Sequence, residues 1–377
     1  MTKPRVLLAE NAGSFVGGGQ VSFLGLVARL DRSRFEPYMV CPEEGDFLEE
    51  ALERGIPALI RRMPSLRGLG GLRLPSALRS WLTLIKKFRI DLLHANGTRA
   101  MIYAGLVGKI ASIPVLWHVR VLETDGFLDR ILAHLSTKVL VNSHAVARRF
   151  DFLGGQSSSR GPTVVPNGVE LGIFERATHD PVLRKEWKLD GKFVLLELAQ
   201  LISWKRQELA LQILALLRRR GMNASLVLVG DEVPSSQGER ARLHALAKRL
   251  GVESHCTFAG FRRDVPEVLK QADLLIHPAR EEPFGRALIE AMASGLPVIA
   301  AGGGGVEEVV EDRVTGVIVR SASPEVWVEA IEKLHRDPSL RQKMGRAGRR
   351  RVAKHFTIES HVAGVEQIYE EVLSSSR

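Results

Sequence analysis

The chain has 377 residues, of which 45% are hydrophobic and 25% are charged, a balance typical of a globular protein and a length sufficient for two domains. Its two cysteines, Cys41 and Cys256, lie far apart in the chain, which argues against a disulfide framework and a zinc site and favours the reducing cytoplasm. The formal net charge of +10 favours anionic partners such as nucleotides, nucleic acid or an acidic membrane surface. Neither a signal peptide nor a run of about 18 apolar residues is recognisable, so the sequence predicts a soluble protein.

Short apolar runs alternate with helical patterns through the first half of the chain. Strands are predicted at residues 5–10, 36–42, 91–96, 114–119, 138–143 and 162–168, and the first helix is predicted from about Gln20. This alternation is typical of a parallel sheet covered by helices. Ligands of such sheets bind at the carboxyl ends of the strands, so the candidates for function are residues that directly follow a strand.

A glycine-rich turn follows the first strand, with Gly17, Gly18 and Gly19 directly before a helix. Such a turn lets the backbone approach a ligand closely, and the helix N-terminus offers N–H groups to an anion. The turn lacks the G-x-G-x-x-G spacing, and no acidic residue ends the second strand, so a dinucleotide site is poorly supported. A purely structural turn is the alternative interpretation.

Residues 54–90 contain nine lysines and arginines and no acidic residue. Within this segment Leu78, Trp81, Leu82 and Ile85 recur at helical spacing. The basic residues lie elsewhere on the helix: Arg79, Lys86, Lys87 and Arg89. One interpretation is a helix that faces the core and exposes a basic side to solvent. The other is a surface that contacts anionic lipid or a lipid-linked diphosphate.

Histidines stand at the ends of two predicted strands. His118 comes at the end of one and is soon followed by Arg120, while His94 and Asn96 end another. A histidine of this kind is either a hydrogen-bonded structural residue or a functional one. The strand-end position makes His118 the first candidate, and His94 and Asn96 are secondary ones.

The alternation begins again after about residue 176. Strands are predicted at 193–199, 224–231, 255–261, 273–279, 297–301 and 316–320, and helices at about 205–220, 239–250, 264–271, 285–294, 325–335 and 338–354. The economical interpretation is an α/β protein with two doubly wound parallel-sheet domains, residues 1–170 and 171–356, that face each other across a cleft. The last helix, at about 357–377, could pack back on the first domain.

Gln200 and Lys205 follow the first strand of the second half, at the start of a helix. A lysine at such a position is a mobile cation suited to a diphosphate, and the helix N-terminus adds to its field. A solvated helix start is the alternative interpretation.

The stretch EEPFGRALIEAMASGLPVIAAGGGG contains two glutamates eight residues apart, Glu282 before a predicted helix and Glu290 within it. A buried carboxylate needs a partner, and ligand hydroxyls are suitable partners. The start of the helix can hold an anion through the backbone N–H groups of Phe284, Gly285, Arg286 and Ala287. The small residues of the helix favour close packing on the sheet, so the spacing of the glutamates alone does not separate packing from binding.

With their neighbours, these segments resemble the retaining nucleotide-sugar glycosyltransferases of family 4, which have two Rossmann-like domains, the GT-B architecture. The run EPFGRALIEAMASGLPVIA (282–300) is similar to their E-x7-E signature, and VVPNGVELGIF (164–174) is similar to their interdomain segment. Further similar segments occur in the expected order: GGGQ (17–20), VNSHAVARRF (141–150), LVLVGD (226–231), FAGFRRDVPEVLKQADLLIHPA (258–279) and EDRVTGVIV (311–319). The resemblance covers essentially the whole chain.

The resemblance implies a role for each candidate. Glu282 would bind hydroxyls of the donor sugar, Glu290 would bind the ribose, and Lys205 would neutralise the departing diphosphate. His118 would lie beside the reacting sugar, so His118 and Glu282 are the candidates for catalysis, and any proton handling would fall to His118. The remaining contacts with nucleotide, diphosphate or acceptor are assigned to Gly18, Gly19, Gln200, Arg262, Phe284, Gly285, Arg286 and Ala287.

Three positions depart from the family pattern. Gln200 stands where an arginine is common, so one charge on the diphosphate is missing, and Arg206 stands where a glycine is common. Val121 stands where the family often has an aspartate, directly after His118, Val119 and Arg120. These departures keep open an alternative, a nucleotide-sugar-binding protein on the same scaffold that is inactive or catalyses a different reaction.

The activity that the resemblance implies is transfer of a hexose from a UDP- or GDP-sugar to an acceptor hydroxyl, with retention of configuration and no cofactor. No D-x-D sequence occurs, so lysine, arginine and helix dipoles, rather than a metal, are expected to stabilise the leaving diphosphate. The expected acceptor is a cell-envelope glycan, a lipopolysaccharide or a lipid-linked precursor. The expected location is the cytoplasm, with peripheral contact to an anionic membrane through residues 54–90, and nucleic-acid binding is not expected because no recognised module accompanies the charge.

Overall fold

A computed structural model describes residues 3–15, 17–65, 68–155 and 161–375. The chain divides into two compact units, the first formed by Met1–Asn167 with Ile358–Arg377 and the second by Gly168–Thr357. Each unit contains one sheet whose described neighbouring strands all run parallel. The predicted fold class, with two doubly wound parallel-sheet domains, is confirmed.

The two sheets are built from short strands. In chain order these are β1 (Arg5–Glu10), β2 (Glu36–Cys41), β3 (Ala58–Ile60), β4 (Leu92–Asn96), β5 (Val115–Val119), β6 (Lys138–Val141), β7 (Thr163–Val164), β8 (Phe193–Leu198), β9 (Ala224–Val229), β10 (Cys256–Gly260), β11 (Leu274–His277), β12 (Val298–Ala301) and β13 (Gly316–Val319). The first sheet has the order β3-β2-β1-β4-β5-β6-β7 and the second β10-β9-β8-β11-β12-β13. The sequence did not predict β3, because this edge strand has three residues and no fully buried position.

Helices connect most of the strands. They are α1 (Gly18–Arg29), α2 (Asp46–Glu53), α3 (Leu74–Phe88), α4 (Thr98–Ala111), α5 (Phe127–Leu135), α6 (His144–Ala147), α7 (Leu171–Arg176), α8 (Pro181–Glu186), α9 (Gln207–Arg219), α10 (Glu239–Arg249), α11 (Val265–Leu269), α12 (Arg286–Ala293), α13 (Val306–Val309), α14 (Pro324–Arg336), α15 (Pro338–His355) and α16 (Ile358–Ser375). Short 3₁₀ helices lie at Gly68–Arg73, Arg148–Leu153, Ser203–Lys205 and Glu253–His255. Among the described helices, none combines the length and the apolar character needed to cross a bilayer.

Apolar clusters lie on both faces of each sheet. In the first unit α3, α4 and α5 cover one face, and α1, α2 and α16 cover the other. In the second unit α9, α10 and α14 cover one face, and α11, α12 and α13 cover the other. Strands β4, β5 and β9 are buried along their whole length, as expected for strands with helices on both sides.

The basic segment is carried largely by α3, which packs against the first sheet. Trp81 and Leu84 are inaccessible to solvent, whereas Arg79, Lys86 and Lys87 are exposed. The apolar side of the helix therefore faces the core and the basic side faces outward, as the first of the two interpretations expects. Part of the segment, residues 66 and 67, lies outside the described residues.

The strand order reverses once in each sheet. The reversal lies between β1 and β4 in the first unit and between β8 and β11 in the second. In open parallel sheets, ligands bind in the crevice beside the carboxyl ends of the strands at such a reversal. The carboxyl ends of the strands at these two reversals are therefore the expected ligand sites of the two units.

Candidate active site

The strand reversal of the second unit brings together three side chains that are far apart in the sequence. Lys205 follows β8, His277 ends β11, and Glu282 follows β11 by a short loop. The Lys205 Nζ atom lies 2.5 Å from Glu282 Oε2, and His277 Nε2 lies 2.9 Å from the same oxygen. The side chains of Lys205 and Glu282 are only 12% and 10% exposed, so the cluster is largely screened from water.

The electrostatics of this cluster favour an ionised carboxylate. Burial by itself would raise the pKa of Glu282, but the Lys205 ammonium and the hydrogen bond from His277 together hold that pKa well below its usual range. Burial lowers the pKa of His277, partly opposed by Glu282. A neutral imidazole beside a carboxylate donates its N–H to it, so His277 Nε2 carries the proton and donates to Glu282.

His277 was not predicted as a site residue. It is the last residue of β11, and the strand-end rule that selected His118 would have selected it as well. The structure adds His277 to the site as a fixed donor to Glu282.

The Pro-Phe-Gly turn positions the start of α12. Gly285 has a φ of +96°, a left-handed conformation that favours glycine. The Phe284 ring is 2% exposed and packs edge-on against Phe356, with 5.8 Å between ring centroids. The Phe284 side chain thus anchors the turn in the core, while the geometry of a helix start leaves the N–H of Ala287 without an intrahelical acceptor.

Glu290 lies inside α12 and has a protein partner. Its Oε1 atom is 2.7 Å from Arg286 Nε, one helical turn earlier. Burial raises the pKa of Glu290, and Arg286 opposes this rise. Arg286, which the resemblance assigned to backbone contact with the donor, therefore also orients the Glu290 carboxylate through an i,i+4 pair.

Gly304 and Gly305, the last two of the four glycines that follow β12, fit against the backbone of the Glu282 loop. The N–H of Gly305 donates to the carbonyl of Glu282 at 2.7 Å. A Cβ atom on Gly304 would lie 2.0 Å from that carbonyl oxygen, and one on Gly305 would lie 2.4 Å from the carbonyl oxygen of Pro283. These glycines hold the Glu282 loop in place, which is a packing role.

The remaining predicted residues of this unit lie on the loops after β8 and β10. The Gln200 carbonyl accepts a hydrogen bond from Gln207 Nε2 at 2.8 Å. Arg206 has a φ of +63°, so it occupies a left-handed position where the family pattern has glycine. The Arg262 guanidinium pairs with Asp264, with Nε to Oδ1 at 2.8 Å.

Gly18 and Gly19 follow β1 at the strand reversal of the first unit, and His118 lies on β5, next to β4. Gly18 begins α1, and a Cβ atom on Gly19 would lie 3.3 Å from the Arg120 side chain. Glu10, at the end of β1, accepts a hydrogen bond from Asn96 Nδ2 at 2.6 Å. A polar row crosses the carboxyl ends of the adjacent strands β1, β4 and β5. Its members, Glu10, Asn96 and His118, are register partners.

His118 belongs to a buried network. Its Nδ1 atom lies 3.2 Å from His94 Nε2 and 3.3 Å from Arg120 Nη2. His94 Nδ1 in turn lies 2.6 Å from the hydroxyl of Tyr369, on the last helix. His94 and Asn96 were secondary candidates, whereas Glu10 and Tyr369 were not predicted.

Two family models match the chain. The model described as Glycosyltransferase Family 4 matches residues 16–172, and the model described as Glycosyl transferases group 1 matches residues 180–351. The D-inositol 3-phosphate glycosyltransferase of Segniliparus rotundus is 36% identical over 188 residues, 49% of this chain and 41% of that protein. The N-acetyl-alpha-D-glucosaminyl L-malate synthase of Bacillus anthracis is 30% identical over 196 residues, 52% of this chain and 50% of that protein. The chain spans about half the length of the curated relatives it matches.

Solved structures share the fold over almost the whole chain. Anabaena HepE in complex with UDP-glucose has a TM-score of 0.85 and 23% identity, and the match covers 97% of this chain and 99% of that one. WaaG, a glycosyltransferase involved in lipopolysaccharide biosynthesis, has a TM-score of 0.70 and 19% identity, with 96% and 99% covered. At these identities the likeness establishes the fold.

Proposed function

Because the chain belongs to the family 4 glycosyltransferases of GT-B architecture, we propose that it transfers a hexose from a nucleotide diphosphate sugar to an acceptor hydroxyl. The observation that carries the proposal is the buried Lys205–Glu282–His277 cluster at the strand reversal of the second unit. Such a cluster keeps a carboxylate ionised and oriented where a polar ligand of this fold binds.

Glu282 is suited to bind sugar hydroxyls. Both of its described partners contact Oε2, and the second oxygen is left to accept hydrogen bonds from a ligand. An ionised carboxylate only accepts, and hydroxyls are suitable donors to it. In the proposal Glu282 binds the donor sugar, while Glu290, oriented by Arg286, binds the ribose of the nucleotide.

Lys205 is the candidate for stabilising the leaving diphosphate. Its ammonium lies beside Glu282, and its backbone stands just before the start of α9, the positive end of that helix. Fixed positive charge aimed at a developing diphosphate lowers the barrier without rearrangement at the moment of reaction. We expect transfer to proceed without a metal ion, so that a chelator leaves the rate unchanged.

The finer points of the proposal come from the resemblance and from the names of the relatives. HepE was solved with UDP-glucose, which supports a UDP-hexose as the first donor to test. The family resemblance supports retention of configuration. WaaG is named for lipopolysaccharide biosynthesis, which supports an envelope glycan or lipid-linked acceptor, and the exposed basic side of α3 supports peripheral contact with an anionic membrane.

The proposal is tested by measuring donor turnover with a panel of UDP-, GDP- and ADP-sugars and acceptor extracts. The wild type is expected to turn over at least one donor, and Glu282→Gln is expected to lower kcat by about a hundredfold or more, the usual effect of removing a charged group at the reacting centre. Glu253→Gln, an exposed residue outside the cluster, is the matched control and should behave as wild type. Nucleotide binding without turnover of any donor would favour the alternative of a non-catalytic nucleotide-sugar-binding protein.

A further inference from the structure

Three buried side chains form a hydrogen-bonded row in the first unit. The Tyr369 hydroxyl lies 2.6 Å from His94 Nδ1, and His94 Nε2 lies 3.2 Å from His118 Nδ1. All three residues are inaccessible to solvent. They come from β4, β5 and α16, so the last helix of the chain reaches the strand-end histidines.

Arg120 fixes the direction of the hydrogen bonds. Its Nη2 atom lies 3.3 Å from His118 Nδ1, and a guanidinium can only donate. His118 Nδ1 must therefore accept, and the proton of a neutral His118 resides on Nε2. Because His94 Nε2 contacts the same accepting atom, His94 donates from Nε2, and its Nδ1 accepts from Tyr369.

The distances and charges agree with this direction. The contacts of 3.2 Å and 3.3 Å at His118 Nδ1 are long, as expected when two donors share one lone pair. Burial lowers the pKa of His118 well below its usual range, and Arg120 and His94 add to the lowering. Burial likewise lowers the pKa of His94 to about 3 and raises the pKa of Tyr369, so both imidazoles are neutral and the phenol keeps its proton near pH 7.

The far nitrogen of His118 is left without an acceptor. Nε2 is buried and has no hydrogen-bond partner among the residues the structure describes. An N–H buried without an acceptor is costly, and a ligand oxygen at the strand ends would remove that cost. Gly19 lies close to Arg120, since a Cβ atom on Gly19 would be 3.3 Å from the Arg120 side chain. The glycine turn, which the sequence predicted to contact a ligand, therefore lies beside this network.

We propose that Tyr369, His94 and Arg120 are positioning residues that fix His118 as a neutral hydrogen-bond donor through Nε2, directed to an oxygen of a transfer substrate, the ligand bound at the strand ends of the first unit. The identity of that ligand rests on the proposed function. This role differs from the proton handling that the sequence suggested for His118, because neither ring nitrogen is available to accept a proton: Nδ1 accepts from Arg120 and His94, and Nε2 already carries one.

The position of Tyr369 does not depend on the row itself. Helix α16 is held to the first unit by Glu366, which accepts from the backbone N–H of Asp31 at 2.7 Å and pairs with Arg34 at 2.7 Å. Removing the Tyr369 hydroxyl therefore leaves the helix anchored. Tyr369→Phe is for this reason a mild change that acts on the row alone.

The first test is nitrogen NMR of the full-length chain labelled with ¹⁵N-histidine, with His94→Gln and His118→Gln used to assign the signals. Near pH 7, both rings should show an unprotonated Nδ1 and a protonated Nε2, and Tyr369→Phe should shift the His94 Nδ1 signal. Tyr103→Phe removes another buried hydroxyl of the same unit, bonded to the Pro64 carbonyl, and should shift neither ring. A protonated Nδ1 on His118, or a His94 signal unchanged by Tyr369→Phe, would overturn the proposal.

The second test separates donation from proton acceptance. The amide nitrogen of a glutamine reaches roughly the place of Nε2, so His118→Gln should keep transfer within about tenfold of wild type, whereas His118→Ala should lose about a hundredfold. Tyr369→Phe should lower kcat/KM about threefold to tenfold, as expected for one lost hydrogen bond, with unchanged affinity for free UDP. Equal losses in the Gln and Ala variants, or an unchanged kcat/KM in Tyr369→Phe, would refute the positioning role. The spectra decide the tautomer even if the wild type turned over no donor, so failure of the proposed function is recognised separately.

Discussion

The substitution Lys205→Met removes the charge that holds Glu282 ionised, and its effect can be estimated from the geometry. Breaking a buried ion pair by removing one partner usually costs 3–5 kcal/mol, because the other charge stays buried without compensation. The side chains of this pair keep 12% and 10% exposure, so we expect the lower end, about 3 kcal/mol of unfolding free energy near neutral pH. Urea denaturation of the full chain measures this loss.

The loss should also depend on pH in a defined direction. In the wild type the pKa of Glu282 lies below its ordinary value of 4.5, so its contribution is present above that pH and is lost as the pH falls through the folded-state pKa. Without Lys205 burial prevails and the pKa rises above 4.5, so the variant loses stability as the pH rises. The difference between the two proteins should therefore be larger near pH 7 than near pH 4, and it should become small only as the pH falls through the folded-state pKa of Glu282 in the wild type.

Two further variants serve as controls for this prediction. Lys205→Arg keeps the charge and should retain most of the stability, and Lys354→Met, at an exposed position, should stay within about 0.5 kcal/mol of wild type. If Lys205→Met were as stable as Lys354→Met near pH 7, or if its cost were the same at pH 4 and pH 7, the ion pair would not hold Glu282 ionised.

Other predictions concern positions around the site. Glu197 on β8 is buried, neither of its carboxyl oxygens has a partner among the described residues, and burial raises its pKa well above the usual range. The stability of the wild type should therefore fall as the pH rises above about 4.5. In thermal melts Glu197→Met should be more stable than the wild type by about 1–3 kcal/mol near pH 8 and by less near pH 5. Arg206→Gly should stabilise by about 0.5–1 kcal/mol in urea denaturation, because glycine fits the left-handed backbone, and a loss would show that the side chain stabilises the fold. Gly304→Ala places a Cβ atom 2.0 Å from the Glu282 carbonyl oxygen, whereas the Cβ atom of Gly295→Ala, also at positive φ, meets nothing within 4 Å. Only Gly304→Ala should weaken donor binding in calorimetry. Equal effects of the two variants would show that Gly304 has no packing role at the Glu282 loop.

The strands and the second-unit site could be predicted largely from local patterns. Most of the buried strands are short apolar runs followed by polar or turn residues, and the segment around Glu282 contains a turn, a helix start and a helix end in one stretch. The pair between Arg286 and Glu290 follows from i,i+4 spacing and was within reach of the sequence, as was His277 at the end of β11.

The network around His118 could not be predicted in this way. Tyr369 is 275 residues from His94, and no spacing rule relates two positions brought together by the packing of the last helix. The row of Glu10, Asn96 and His118 depends on the register of three paired strands, and two of them, β1 and β4, are not consecutive in the chain. The edge strand β3 has only three residues, too few for a strand pattern to be recognised in the sequence.

Calorimetry can establish whether Glu282 binds the sugar and Glu290 the ribose of one donor. Affinities for a UDP-sugar and for free UDP are compared in the wild type, Glu282→Gln and Glu290→Gln. Glu282→Gln should weaken binding of the UDP-sugar and leave free UDP unchanged, whereas Glu290→Gln should weaken both by a similar factor, since each carries the ribose. Equal weakening of UDP and UDP-sugar binding by Glu282→Gln would show that Glu282 does not bind the sugar.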